Sequence, residues 1–328
     1  MNNQFLIKLL IFSGIFFFNN LVAADYPYTG FAIGTDGQLY CRIGIDSSNL
    51  DGTGWANIAL PPFASQAVTI KSCAVSAFGV IWIVDAFGFI SSAQLTQSHL
   101  QKTSPGQTIN LSWTNRENPA PNVGIREITI AGYAIAYVWA IAADDSVYTT
   151  DYFYGKRVGW KGGPNHSARL KYIAASPYDT YEHVFGVTAS GVLQFRNGIG
   201  WGNDWNSLGD QGVTNISILG QSNKTPEILR SKDYKIEFNK FVRGGTLASP
   251  TWKNIGNDFI DVAIEPAFIS YPNNTNAIIW WIDRFNNVYL RHHFNDIDPK
   301  WDTGNPLRDS SLKVAKVILG PVLGLYPR

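Results

Sequence analysis

Cysteine, methionine and charge are all scarce in this chain. Its 328 residues hold two cysteines, one methionine and five histidines. None falls in the close spacing by which thiolates and imidazoles converge on a metal, so no metal ion is expected. His292-His293 is the lone adjacent histidine pair, and on a strand its two side chains leave opposite faces. Charged residues make up 16% of the chain and form no long run. That argues against nucleic acid or an anionic membrane surface as partner. Sustained helical periodicity is missing, and Gly, Pro and Asn turn signals are spread throughout. Also missing are a Gly-x-Ser-x-Gly elbow, a His-Glu-x-x-His helix, a phosphate loop and the Ser-x-Asp-x-Gly-x-x-Trp boxes of propeller sialidases. Neither an enzyme nor a cofactor is expected on these grounds.

A long apolar run occurs once, at Leu9 to Phe18, preceded by the single charge Lys8. Asn19-Asn20 interrupts it before it is long enough to span a bilayer. Val22-Ala23-Ala24 then offers the small residues a signal peptidase reads. Met1 to Ala24 is therefore read as a signal peptide, cleaved before Asp25. The remainder, 25–328, is expected to be secreted or periplasmic, with no membrane insertion. Lys8 leaves with the signal, so the 26 basic residues become 25, against 25 acidic ones. Export permits a disulfide between Cys41 and Cys73. Two buried free thiols are the alternative, and the sequence leaves both open.

What the chain does have is a repeat. Phe31, Trp82, Trp139, Phe185, Ile228 and Trp280 are spaced 51, 57, 46, 43 and 52 residues apart. Each is followed two places on by a second position, at Ile33, Val84, Ile141, Val187, Arg230 and Ile282. Six places on comes a turn residue, at Gly37, Gly88, Asp145, Gly191, Tyr234 and Asn286. Eight places on the chain is apolar again. That frame reads as a hairpin with alternate residues facing one side. The fifth unit is the weakest copy, because Arg230 occupies an apolar position. A segment of small and β-branched residues precedes each hairpin from the second on, as in Ser72-Cys73-Ala74-Val75-Ser76 and Asp261-Val262-Ala263-Ile264. A further tryptophan follows each, at Trp55, Trp113, Trp160, Trp205, Trp252 and Trp301.

Each unit thus reads as four strands: a small-residue inner strand, the hairpin pair and an outer strand with tryptophan. The first unit lacks its inner strand, while Lys313 to Gly320 is an inner strand without a hairpin. Pairing the two closes a ring with no exposed sheet edges. The expectation is an all-β, six-bladed β-propeller of four-stranded blades over 25–328, a single domain closed by its C-terminal strand.

Phe31-Ala32-Ile33-Gly34-Thr35-Asp36-Gly37-Gln38-Leu39-Tyr40, Leu170-Lys171-Tyr172-Ile173-Ala174-Ala175-Ser176 and Trp252-Lys253-Asn254-Ile255 resemble tectonin repeats. The resemblance extends over nearly all of 25–328. The fifth unit departs most, with Ile228-Leu229-Arg230 in place of an aromatic anchor. It implies a tectonin- or tachylectin-like lectin that binds cell-surface glycans or lipopolysaccharide at several shallow sites; other members of such a family are protein-interaction modules.

Carbohydrate recognition needs an aromatic face and polar groups for hydroxyls. Trp201, with Asn203 and Asp204 in a Gly-rich stretch, is one candidate. Tyr152, Tyr154 and Arg157 form a second, and His292 with Arg291 and His293 a third. For any outer tryptophan, packing is the favoured reading. Asp85 and Asp283 sit at equivalent places after a hairpin strand, which favours turn hydrogen bonds over catalysis. Three classes stay in play. A lectin predicts repeated surface aromatics near Asn, Asp or Arg. A protein-binding propeller predicts one uneven surface patch. A glycoside hydrolase, the remotest, predicts acids meeting at the channel mouth with raised pKa values.

Overall fold

The computed structural model describes residues 28–45, 52–61, 69–76, 78–132, 136–153, 156–163, 168–175, 183–196, 204–219, 226–242, 246–266, 277–294, 307–309 and 312–321. Blade 1 contains β1 (Tyr28–Gly34), β2 (Leu39–Ile43) and β3 (Gly54–Ile58). Blade 2 contains β4 (Ile70–Val75), β5 (Val80–Asp85), β6 (Ile90–Gln94) and, after the short helix α1 (Gln97–Gln101) and β7 (Thr108–Ile109), β8 (Thr114–Arg116). That insertion explains the longest repeat step, and β7 pairs in parallel with β3 of blade 1. Blade 3 is β9 (Ile125–Ala131), β10 (Ala136–Ala142), β11 (Val147–Phe153) and β12 (Lys156–Gly162). Blade 4 is β13 (Leu170–Ala175), β14 (Val184–Thr188), β15 (Leu193–Arg196) and β16 (Asn206–Ser207). Blade 5 is β17 (Val213–Leu219), β18 (Glu227–Lys232) and β19 (Lys235–Val242), whose outer edge pairs with both β20 (Thr246–Leu247) and β21 (Lys253–Asn257). Blade 6 is β22 (Phe259–Pro266), β23 (Ala277–Asp283), β24 (Val288–Phe294) and β25 (Leu307–Asp309). The last strand, β26 (Val314–Pro321), pairs antiparallel with β1 from Tyr28↔Pro321 to Gly34↔Val314 and becomes the inner strand of blade 1.

The protein is therefore a six-bladed β-propeller whose ring is closed by its two ends. β26, β4, β9, β13, β17 and β22 stand round the axis in that order. Each seam between blades has its own apolar cluster. This is how so long a chain avoids needing one oversized core. The six repeat anchors are at most 2% exposed, because a hairpin strand in mid-blade is covered on both faces by neighbouring blades.

Outer tryptophans bind the seams. Trp55 of blade 1 packs edge-on against the anchor Trp280 of blade 6, centroids 5.4 Å apart. Trp205 of blade 4 does the same to Trp139 of blade 3 at 6.2 Å. Trp113, Trp160 and Trp252 lie in the clusters of Phe31, Trp82 and Phe185, again one blade back. Trp301 lies outside the described residues. The indole Nε1 of Trp113 and of Trp160 also donate to the preceding blade, to the Ala59 carbonyl at 2.7 Å and the Glu117 carbonyl at 2.8 Å. Packing, the favoured sequence reading, holds for these five.

The turn position of the repeat has a second role. Carbonyls of Gly37, Gly88, Asp145, Gly191, Tyr234 and Asn286 accept from the N–H groups of Ile70, Ile125, Leu170, Val213, Phe259 and Val314, at 2.9–3.1 Å. Each bond joins a hairpin to the inner strand of the next blade, so together they run once round the ring. All six acceptors have positive φ, from 60° to 87°. Glycine suits that conformation. At Gly88 a Cβ would also meet Gly124 Cα at 2.7 Å. Asp85 and Asp283 brace these turns as expected. Asp85 Oδ1 accepts from the Phe87 and Phe89 N–H groups, both at 2.9 Å. Asp283 Oδ1 accepts from Phe285 at 2.8 Å and Asn287 at 2.9 Å.

Arg230 explains the weak fifth repeat. Its side chain is 5% exposed, bridges Asp210 and Glu237, and stacks on Trp252 at 4.0 Å. A buried ion cluster there replaces the apolar pair used elsewhere.

Cys41 and Cys73 share the seam cluster of blades 1 and 2, yet both are buried free thiols. The disulfide weighed from the sequence is not formed. Burial pushes both thiols up to about 12, so neither is a ready nucleophile at neutral pH.

Candidate functional site at the channel mouth

The candidate site is built by an irregularity common to all inner strands. Pairing with the neighbouring strand skips one residue in each: Lys71, Arg126, Lys171, Thr214, Ile260 and Ala315. Such a bulge bends the strand and re-aims the side chain after it. The residues that follow are Ser72, Glu127, Tyr172, Asn215, Asp261 and Lys316, one from each blade. They form a collar round the axis. Two columns beside it are apolar throughout: Ile70, Ile125, Leu170, Val213, Phe259 and Val314 on one side, and Cys73, Ile128, Ile173, Ile216, Val262 and Val317 on the other.

Above the collar, on the face that carries the hairpin turns, a cavity of about 530 Å³ opens between Asp36, Lys71, Glu127, Tyr172, Asp261 and Lys316, among others. Below it the axial channel narrows to about 100 Å³, lined by Ala74, Thr129, Ala174, Ser217 and Ala263. Small side chains fit where six strands converge, as expected for the strand nearest the axis.

The collar is hydrogen-bonded across blades. Lys316 Nζ donates to Glu127 Oε1. Ser72 Oγ donates to the same oxygen at 3.2 Å and accepts from the Ile128 N–H at 3.2 Å. Asn215 Nδ2 donates to Asp261 Oδ1. The Val317 N–H donates to Asp261 Oδ2 at 3.0 Å. Burial pushes the Asp261 carboxyl up to about 6, against the pull of Lys316 and two backbone N–H groups and with a push from Glu127. Burial alone would lower Lys316, but the charges of Glu127 and Asp261 outweigh it and hold the ammonium above its ordinary pKa. Tyr172 completes the collar and is 37% exposed, its ring open to the mouth.

Sequence candidates fall elsewhere. Tyr152 and Arg157 are Cα partners across β11 and β12 of blade 3. Asp204 is exposed just before β16 of blade 4. His292 lies in β24 of blade 6, across the ring from blade 3, so it does not join them. Tyr154, Trp201 and Asn203 lie outside the described residues. Tyr152, Arg157 and Asp204 stand at the ends of their blades opposite the hairpin turns, and hence away from the collar. Asn215-Ile216-Ser217 has the form of a glycosylation sequon, but the Asn215 amide donates to Asp261 inside the collar.

Part of the collar is visible in the sequence. Ser72, Tyr172 and Asp261 head the inner segments as polar residues before apolar ones. Glu127, Asn215 and Lys316 hold the same place, directly before Ile128, Ile216 and Val317; what the sequence does not show is that a bulge turns that place toward the axis.

Among the described residues no group of His, Cys, Asp and Glu side chains could hold a metal ion. Nor is any described helix long and apolar enough to cross a membrane.

Comparison with known proteins agrees with the fold. A propeller family model, Hyd_WA, matches residues 31–57, the first blade. No curated protein matches the chain. AofleA from Arthrobotrys oligospora is a similar solved structure, with 14% identity, a TM-score of 0.51, and 93% of this chain and 92% of that one covered. A protein of unknown function from Bacteroides caccae gives 12% identity, a TM-score of 0.53, and coverage of 89% and 98%. YCF48 bound to D1 peptide aligns at 13% identity with a TM-score of 0.45, over 88% of this chain and 80% of that one. At these identities the likeness is one of fold.

Proposed function

We propose that the protein is a secreted, non-enzymatic recognition propeller whose ligand is carbohydrate. One observation carries the reading: an exposed aromatic ring, Tyr172, stands in a ring of hydrogen-bonding side chains beneath an open mouth. Sugars are held by this combination of an apolar face and mixed donors and acceptors. The tectonin-like repeat pattern supports the same class. Turnover is disfavoured, because the two acids of the collar are held in its hydrogen bonds and the third acid at the mouth, Asp36, accepts from the Gln38 N–H and the Tyr40 hydroxyl. Lys316 lies against Glu127, and Asp261 is held by Asn215 and the Val317 N–H. A hydrolytic pair needs one carboxylate free to protonate a leaving group and another free to attack or to activate water. The raised pKa of Asp261 is the one feature a hydrolase would share.

The test is a glycan array, lipopolysaccharides included, probed with residues 25–328, followed by mass spectrometry of any bound glycan after long incubation. Selective binding without cleavage is the expected result. Cleavage would replace this reading with the hydrolase.

A protein partner is the second reading, and a different observation favours it. Phe87, Phe89, Tyr234 and Phe285 are 53–64% exposed on hairpin turns of blades 2, 5 and 6. They make the uneven aromatic surface that such a module predicts. Phe87→Ser with Phe285→Ser, in a chain that binds no glycan, would abolish capture of that partner.

A further inference from the structure

We infer that the channel mouth is a single, axial binding site for one neutral terminal sugar residue, presented end-on; the inference rests on the carbohydrate reading above. From the sequence several shallow sites were expected, fed by repeated surface aromatics. The five described outer tryptophans that would have served them are packed into seams instead. The axis offers one site, because the blades meet there once.

Three features argue that the collar is more than a plug. The first is its chemistry. Its column alone is polar in all six inner strands; the residue after it is apolar in all six, and the skipped residue before it is polar in four. Apolar side chains would close the channel without desolvating an ion pair, and replacing buried ion pairs by well-packed apolar groups is often neutral or stabilising. The second is space. The cavity of about 530 Å³ above the collar has ample room for a pyranose ring and its linkage. The third is the mix of groups. Tyr172 gives a ring for the sugar's C–H face; the Lys316 ammonium and the Asn215 amide keep N–H protons beyond those given to Glu127 and Asp261, and the carboxylates of Glu127 and Asp261 keep lone pairs. Sugar hydroxyls both donate and accept, so such a mixed set suits them.

Charge then narrows the ligand. The charged side chains lining the mouth are Asp36, Lys71, Glu127, Asp261 and Lys316, three acids against two bases. Lys316, the deeper base, is already taken by Glu127. A carboxylated, sulfated or phosphorylated terminus would face an excess of negative charge. A neutral terminus would not.

The experiment uses residues 25–328, a glycan array and then calorimetric titration with the strongest neutral glycan on it. Neutral-ended glycans are expected to bind above acidic-ended ones, at one glycan per chain. Tyr172→Ala is expected to weaken binding about tenfold, the scale of one lost aromatic contact. Asn215→Ala should weaken it too, and Phe89→Ser, on a hairpin turn, should leave it unchanged. Circular dichroism and a thermal melt establish that each variant is folded. Glycan binding with several sites per chain, or binding unmoved by Tyr172→Ala, overturns the axial site and leaves the carbohydrate reading standing. Preference for acidic termini overturns the neutral-ligand assignment. No glycan bound by folded wild-type protein overturns both.

Discussion

Acidification should stabilise this propeller, through one residue. Asp261 has a carboxyl pKa of about 6 in the folded chain, against an ordinary 3.8. The folded state therefore holds that proton more tightly than the unfolded state. Stability from this group rises as pH falls through 6 and levels off below 3.8. Working the two-state linkage from pH 7.5 to pH 5 gives a gain of about 1.4 kcal/mol. Asp144 and Asp283 have lowered pKa values, so what they contribute is present above 3.8 and is lost only at still lower pH. Lys316 has a raised pKa, so its contribution fades only in the alkaline range. The assay is equilibrium urea unfolding at pH 5, 6 and 7.5, of wild type and of Asp261→Asn. All other groups are common to both chains and cancel in the difference. Wild type should gain about 1.4 kcal/mol over the variant on acidification, most of it below pH 6.5. An equal gain in Asp261→Asn would refute the reasoning, as would a wild type that loses stability relative to it.

Gly30→Ala should open the ring at its closing seam. A Cβ there would lie 1.7 Å from the Trp280 ring, and Trp280 is fully buried. The expected cost is about 1–3 kcal/mol, read as a lower urea midpoint at unchanged slope. Cys41 and Cys73 should resist a thiol reagent in the native protein, and both should react after denaturation without any reductant; a need for reductant would restore the disulfide. Arg230→Met should strip Glu237 of its Arg230 partner, leave Asp210 with Lys232, and cost about 1–3 kcal/mol at neutral pH. Expression of the full chain in a secreting host should yield a mass beginning at Asp25; an intact Met1 in the exported protein would remove the signal reading.

How much was legible without coordinates follows from which signals are local. The hairpin frame was. Anchors such as Trp82 and Trp280 recur because every mid-blade strand must bury both faces. The residue six places on recurs because it must take positive φ to hand its carbonyl to the next blade. Asp85 and Asp283 were readable as turn braces because their partners are two and four residues away. The split repeat, too, fixed the pairing of β26 with β1, since only that pairing leaves no inner strand missing.

The rest required the tertiary structure. Ser72, Glu127, Tyr172, Asn215, Asp261 and Lys316 span most of the chain and meet only because six bulges turn them to one axis. No local spacing encodes that meeting. The sequence could mark tryptophans as abundant, but only packing decided that five outer ones wedge between blades while Tyr172 faces the mouth. Periodicity is a property of each strand by itself. The site is a property of their closure into a ring, where distance along the chain no longer predicts distance in space.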